Sequence, residues 1–121
     1  MRPALAAILL TLALGGCVRA APGFVLPKRF TALGTEPFWA AKVGGNRLTY
    51  STPLDQAGRT IAVARRATGR VATVEGVLDG RLMRLEISAG PCSDGMSDVV
   101  YPLAVVRTVG DAVHHGCART D

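Results

Sequence analysis

Side chains able to do chemistry gather in two places in this chain of 121 residues. The first is Cys92-Ser93-Asp94-Gly95-Met96-Ser97-Asp98, followed by Tyr101-Pro102 and later by His114-His115-Gly116-Cys117. Ser93 or Ser97 with His115 and an aspartate supplies the residue types of a hydrolytic triad. However, no Gly-x-Ser-x-Gly elbow is there to expose the nucleophile. Asp94 and Asp98 form a carboxylate pair, but their spacing lacks the further oxygen ligands of a calcium loop. His114, His115, Cys92, Cys117, Asp94, Met96 and Asp98 include ligands that suit a soft metal such as copper. Neighbouring histidines on a strand point to opposite faces, which works against such a shell. A plainer reading needs fewer coincidences. Asp94 and Ser97 cap backbone donors, Gly95 takes a positive φ, and the run is a structured turn.

The second place is Leu33-Gly34-Thr35-Glu36-Pro37-Phe38-Trp39, which carries the chain's one tryptophan. In a domain this small a lone tryptophan serves most simply as a core plug. Alternatively, Trp39 lines a barrel mouth or ligand cleft together with Glu36, since an amphipathic ring suits such a position. The candidate ligand-binding residues are therefore Glu36, Trp39, Asp94, Met96, Asp98 and Tyr101. No residue is assigned a catalytic role, and no metal or cofactor is expected.

The elements that must position these residues read as short strands. Phe38 to Val43, a Gly44-Gly45 turn and Asn46 to Ser51 form a hairpin in which Leu48 and Tyr50 alternate with polar neighbours. Thr52 to Gly58 reads as a loop. Thr60 to Arg66 places Ile61 and Val63 on one face. After Thr68-Gly69, Arg70 to Leu78 aligns Ala72, Val74 and Leu78 opposite Glu75. Asp79-Gly80 signals a type I′ turn, whose two central residues both need positive φ. Arg81 to Ser88 alternates Met83, Leu85 and Ile87 with Arg84, Glu86 and Ser88, the pattern of a strand with one wet face. Val99 to Arg107 is apolar on both faces, and Pro102 within it belongs at an edge or bulge. Gly110-Asp111 turns the chain into Ala112 to Cys117. No amphipathic helix follows the N-terminal segment. The expected fold is all-β: a small antiparallel barrel or sandwich of seven to eight short strands.

Length allows one domain with one modest core. The formal net charge is +5, with Arg prevailing over Lys. That balance can favour anionic surfaces such as phospholipid headgroups or acidic glycans, but the arginines are scattered along the sequence. Met1-Arg2-Pro3 is a short positive region, and Ala4 to Leu14 is an apolar stretch too short to span a bilayer. Leu14-Gly15-Gly16-Cys17 resembles the lipobox of bacterial lipoprotein signals. The resemblance implies cleavage before Cys17 and lipidation of that residue, giving a stable anchor. Val18, rather than the Asp associated with inner-membrane retention in Gram-negative lipoproteins, implies an outer-membrane destination facing the periplasm. The divisions expected are 1–16 as lipoprotein signal peptide, 17–28 as lipidated Cys and tether, and 29–121 as a single β-domain. Export argues against nucleic acid as a partner. With Cys17 lipidated, Cys92 and Cys117 are an even residual pair, which in an oxidising compartment reads as a disulfide. Closing a loop of about 25 residues contributes about 3 kcal/mol in the chain-entropy model.

Taken together, Gly34-Thr35-Glu36-Pro37-Phe38-Trp39, the Cys92–Asp98 run, Tyr101-Pro102 and Gly116-Cys117-Ala118 resemble a family of small bacterial lipoproteins and predicted membrane-associated proteins of uncharacterised activity. The resemblance spans essentially the whole mature domain and implies a periplasm-facing β-domain. One departure is Val99-Val100, where a more polar pair, often with Arg, is expected before Tyr-Pro. In size, anchor and disulfide the chain is also similar to the lipoprotein inhibitors of lysozyme, in architecture only. The function expected from all this is a lipid-anchored, non-enzymatic binding or envelope-maintenance module with an envelope protein or glycan as ligand. The alternatives are a lysozyme-inhibitor-like protein, or a small hydrolase using Ser93 or Ser97 with His115.

Overall fold

A computed structural model of the protein describes residues 15–16 and 24–121. Residues 1–14 of the expected signal segment, Cys17 and most of the expected tether lie outside the described residues. Eight antiparallel strands follow one another around a closed barrel: β1 (Arg29–Thr35), β2 (Phe38–Gly44), β3 (Arg47–Thr52), β4 (Asp55–Thr68), β5 (Val71–Leu78), β6 (Arg81–Ser93), β7 (Val100–Val109) and β8 (Ala112–Thr120). β8 pairs back onto β1, with Phe30 opposite Thr120 and Leu33 opposite Cys117, so the sheet has no free edge. Closure selects the barrel over the sandwich.

Period-two alternation sets the inside. Phe30, Ala32, Ala41, Val43, Leu48, Val74, Met83, Leu85, Ile87, Val105 and their neighbours fill the interior. The outer wall carries polar pairs, among them Arg84 Nε to Glu75 Oε1 at 2.8 Å, and Thr49 against Thr60. The faces assigned to Leu48, Ile61 with Val63, Ala72 with Val74 and Leu78, and Met83 with Leu85 and Ile87 are those found. Asp79 and Gly80 both take positive φ, 52° and 75°, as the hairpin turn requires.

Three departures from expectation shape the site, besides later ends to β4, β7 and β8. β1 was not signalled as a strand, although it closes the barrel. The expected Thr52–Gly58 loop shrinks to Pro53-Leu54: Asp55 already opposes Thr52, and a register shift between Tyr50 and Thr52 absorbs the irregular residues. Finally, β6 runs on to Ser93, past a break in register between Ala89 and Cys92.

The two ends of the barrel differ in charge. Turns 36–37, 53–54, 79–80 and 110–111 share one end, with Glu36, Asp55, Asp79 and Asp111 beside Arg59 and Arg81. The opposite end, where β1 begins and turns 45–46 and 69–70 lie, gathers Lys28, Arg29, Arg47, Arg65, Arg66 and Arg70, with Asp121 as its acid. Arginines scattered in sequence are thus collected by topology. Residues 24–28, the described part of the expected tether, lie against this basic end. Phe24 and Leu26 pack on the core there, and Arg65 donates to the carbonyls of Pro27, Lys28 and Gly45.

Candidate functional site

Beyond Ala89 the β6–β7 hairpin leaves the barrel wall as an arm. Cys92 pairs with Tyr101 and Ser93 with Val100 along it. Its crossing is held by a disulfide from Cys92 to Cys117 on β8, with a Cα–Cα separation of 5.7 Å. Cys117 shares the outward face of β8 and β1 with its partner Leu33, yet it is fully buried because the arm covers it. The expected disulfide is therefore present, and it leaves neither thiol free to bind a metal. The tip of the arm reaches β1, where Thr35 Oγ1 donates to the Asp94 carbonyl at 3.0 Å. The two sequence regions singled out for their chemistry are in contact.

Asp94 organises the tip. Its Oδ1 accepts the amides of Met96 and Ser97 at 2.9 and 2.8 Å, and its Oδ2 accepts Ser97 Oγ at 2.9 Å and Tyr101 Oη at 3.3 Å. Two amide donors, the Ser97 hydroxyl and the Tyr101 hydroxyl favour the ionised carboxyl and hold it below the usual carboxylate range. Ser93 Oγ accepts the Gly95 amide, and Gly95 has φ 76°. This is the Asx-type turn that the residue order implies. Ser97 Oγ thus faces a carboxylate and Ser93 Oγ a backbone amide; among the described residues neither hydroxyl bonds an imidazole. Asp98 is exposed, as is Glu36 at the β1–β2 turn.

Trp39 takes the core position. Its side chain points into the barrel and is 3% exposed. Two glycines make room for it: a Cβ at Gly34 would lie 2.0 Å from Trp39 Nε1, and one at Gly116 would lie 2.8 Å from Cζ2. The ring stacks near Tyr50, with centroids 6.5 Å apart. Trp39 is therefore a plug that also contributes to the lining of the cleft beside it, and its neighbour Phe38 is the aromatic residue that meets solvent.

Between the arm tip and the outer face of β1–β3 lies a cleft of about 580 Å³. Leu33, Phe38 and Ala40 form its floor, Pro53 and Gln56 one side, and Asp94 with Met96 the other. Phe38 and Met96, 53% and 66% exposed, are the large exposed apolar side chains of its lining. A mostly apolar, preformed concavity with few polar groups is the usual character of a ligand site. A second recess joins Glu36, Ser93, Asp94, His114 and His115.

No family model, curated protein or solved structure matches the chain.

Sequence reading passed over Arg107. Its partners in register, Leu85 and His114, and the alternation Leu103, Val105, Arg107, Val109 place it inside the barrel, where it is 5% exposed. That alternation was the available signal.

Proposed function

We propose that the chain is an outer-membrane lipoprotein facing the periplasm, anchored through Cys17, whose barrel is a non-enzymatic binding module. It takes the apolar part of an envelope ligand between the arm and β2. The observation carrying this reading is the cleft of about 580 Å³ floored by Leu33, Phe38 and Ala40 and roofed by Met96. Its carbon lining favours apolar matter over an unmodified glycan. Orientation supports the anchor: the chain reaches the barrel at the end bearing Lys28, Arg29, Arg65 and Arg66, which suits anionic headgroups, while the cleft lies towards the other end.

Two measurements test the two halves. Mass spectrometry of the full chain from a lipoprotein-processing bacterium should find Cys17 as an acylated N-terminus, and Cys17→Ser should abolish the modification. An unmodified chain would remove the anchor. Binding of the neutral apolar dye N-phenyl-naphthylamine should be saturable and should weaken about tenfold in Met96→Glu, which puts a charge in the lining. Equal binding by the wild type and the variant would remove the cleft.

A further inference from the structure

At the acidic end the barrel opens into a cavity of about 360 Å³, separate in position from the outer cleft. Arg107 lines its depth with Tyr50, Leu78 and Val109, while Ala112 and the side chains of Asp55, Arg59, Asp79 and Arg81 lie around the rim. Arg107 is the one cation of the described residues that the barrel interior buries, and it has no carboxylate within ion-pairing distance. A guanidinium cannot neutralise itself by shedding its proton as a buried lysine can. The protein answers only in part. Arg107 Nη1 donates to Tyr50 Oη at 2.6 Å, and the guanidinium sits 5.5 Å from the Trp39 ring centroid and 6.0 Å from that of Tyr50. Arg107 Nε and Trp39 Nε1 are both buried without a partner, and Tyr50 Oη, which accepts from Arg107, donates to nothing among the described residues.

Donors are thus in surplus around Arg107 and an acceptor is missing. The acids at the rim do not supply it. Arg59 pairs with both Asp79 and Asp55, and Asp55 Oδ1 also accepts the Gly58 amide. Three arginines against two aspartates leave the lining with one positive charge over, and among the described residues neither Arg81 nor Arg107 is in an ion pair. The rest of the wall is carbon: Leu78, Val109 and Ala112. We infer that this mouth is a binding site for a small amphipathic carboxylate. Its carboxylate would be held by Arg107 and the Tyr50 hydroxyl, and its apolar body would lie against Leu78, Val109 and Ala112. Carboxylate is the acceptor that a guanidinium fork matches best.

The protein carries its own reporter, because Trp39, the only tryptophan, lies beneath Arg107. Titrating the full chain with octanoate should change tryptophan fluorescence saturably and raise the melting temperature. Octanol and octylamine, which match the chain length without the carboxylate, should do neither. Arg107→Met, which replaces the buried cation with a side chain of similar reach, should lose the octanoate response at least tenfold while remaining folded by circular dichroism. Arg81→Ala should lose it a few-fold. Met96→Glu, on the outer cleft, should leave it unchanged. Equal responses to octanoate and octanol, or an octanoate response that survives Arg107→Met, would overturn the assignment. If Arg107→Met does not fold, Tyr50→Phe provides the second reading. It removes the hydroxyl donor with no change of charge and should weaken octanoate several-fold; unaltered affinity there counts equally against the site.

Discussion

Two arginines enter the barrel from opposite ends, and their surroundings differ in one respect that matters. Arg65 stacks over Phe30 and donates to three backbone carbonyls, those of Pro27, Lys28 and Gly45. Arg107 stacks over Trp39 and donates to one hydroxyl, with its Nε left buried and unpartnered. Desolvation lowers the pKa of Arg65, but its partners are acceptors with fixed positions, so it acts as a clasp that binds the lead-in residues to the barrel. Arg107 has no such partners. The same side chain over an aromatic ring is a closed joint at one end and an open valence at the other. A buried cation with one hydroxyl acceptor and no counter-charge among the described residues costs stability that a well-packed apolar residue would not, so its presence at the mouth asks for something beyond packing.

The largest effect on this comparison should come from the disulfide. Replacing Cys92 and Cys117 by Ser together should cost about 3.5 kcal/mol, the loop-closure value for a separation of 25 residues. Denaturant unfolding measures it. The arm covers the outer face of β8 and β1, and these strands carry Gly116 and Gly34 against the Trp39 ring. Hydrogen exchange in the variant should therefore quicken in β8, β1 and the arm, on the Arg107 side, while residues 24–28 and turn 45–46 on the Arg65 side keep their protection. Uniform loss of protection would show that the two ends are not independent.

Next in size is the direct contrast of the arginines. Arg65→Met leaves three carbonyls without their donor and should destabilise by about 2 kcal/mol, a figure typical of hydrogen bonds to a charged group. Arg107→Met removes an unpaired buried charge from an apolar setting and should be neutral or stabilising. Opposite signs in urea midpoints would sharpen the comparison, and a loss at Arg107 as large as that at Arg65 would break it. Similar in size is Gly34→Ala, whose Cβ collides with Trp39 Nε1 and should cost about 1–3 kcal/mol by overpacking. Because the Trp39 ring would have to shift, its fluorescence should change as well.

How much of this was readable in advance follows from which interactions are local. The alternation of Met83, Leu85 and Ile87, and the Asp79-Gly80 turn, are set by neighbours within a few residues, so strands β2 to β8 were legible, apart from the start of β4 and the far ends of β6 and β8. β1 was not, because Thr31 and Leu33 on its outward face are covered by Asp121 and by the arm, which blurs the alternation. The turn inside Cys92–Asp98 was legible because an Asx turn needs only Asp94 and the next three residues. The meeting of its tip with Thr35, across 59 positions, was not. The separation of basic and acidic ends was hidden for the same reason, since alternate turns of a meander fall at alternate ends. Arg107 was missed because a charged residue at a strand end ordinarily faces water.

The arm tip offers the finest test, because its charge is handled as at the Arg65 end and unlike at the mouth: Asp94 is fully supplied with partners. Its carboxylate takes two amides and two hydroxyls, and its pKa is held below the ordinary value by the Ser97 amide first, then by that of Met96. A carboxyl whose pKa falls on folding lends stability above its unfolded pKa and loses it as pH drops through the folded one. Wild type and Asp94→Asn should therefore differ in melting temperature at neutral pH by a small margin. That margin should hold down to about pH 4, the unfolded carboxylate value, and close below it. The neutral amide keeps an oxygen for the Met96 and Ser97 amides but its NH2 cannot accept from Ser97 Oγ and Tyr101 Oη, so the pH dependence of the difference, and not its size, reads the charge. If the margin stayed constant from neutral pH to about pH 2, well below the unfolded value, the carboxylate charge would not be what orders the tip. The arm would then be held by Cys92 and Thr35 alone.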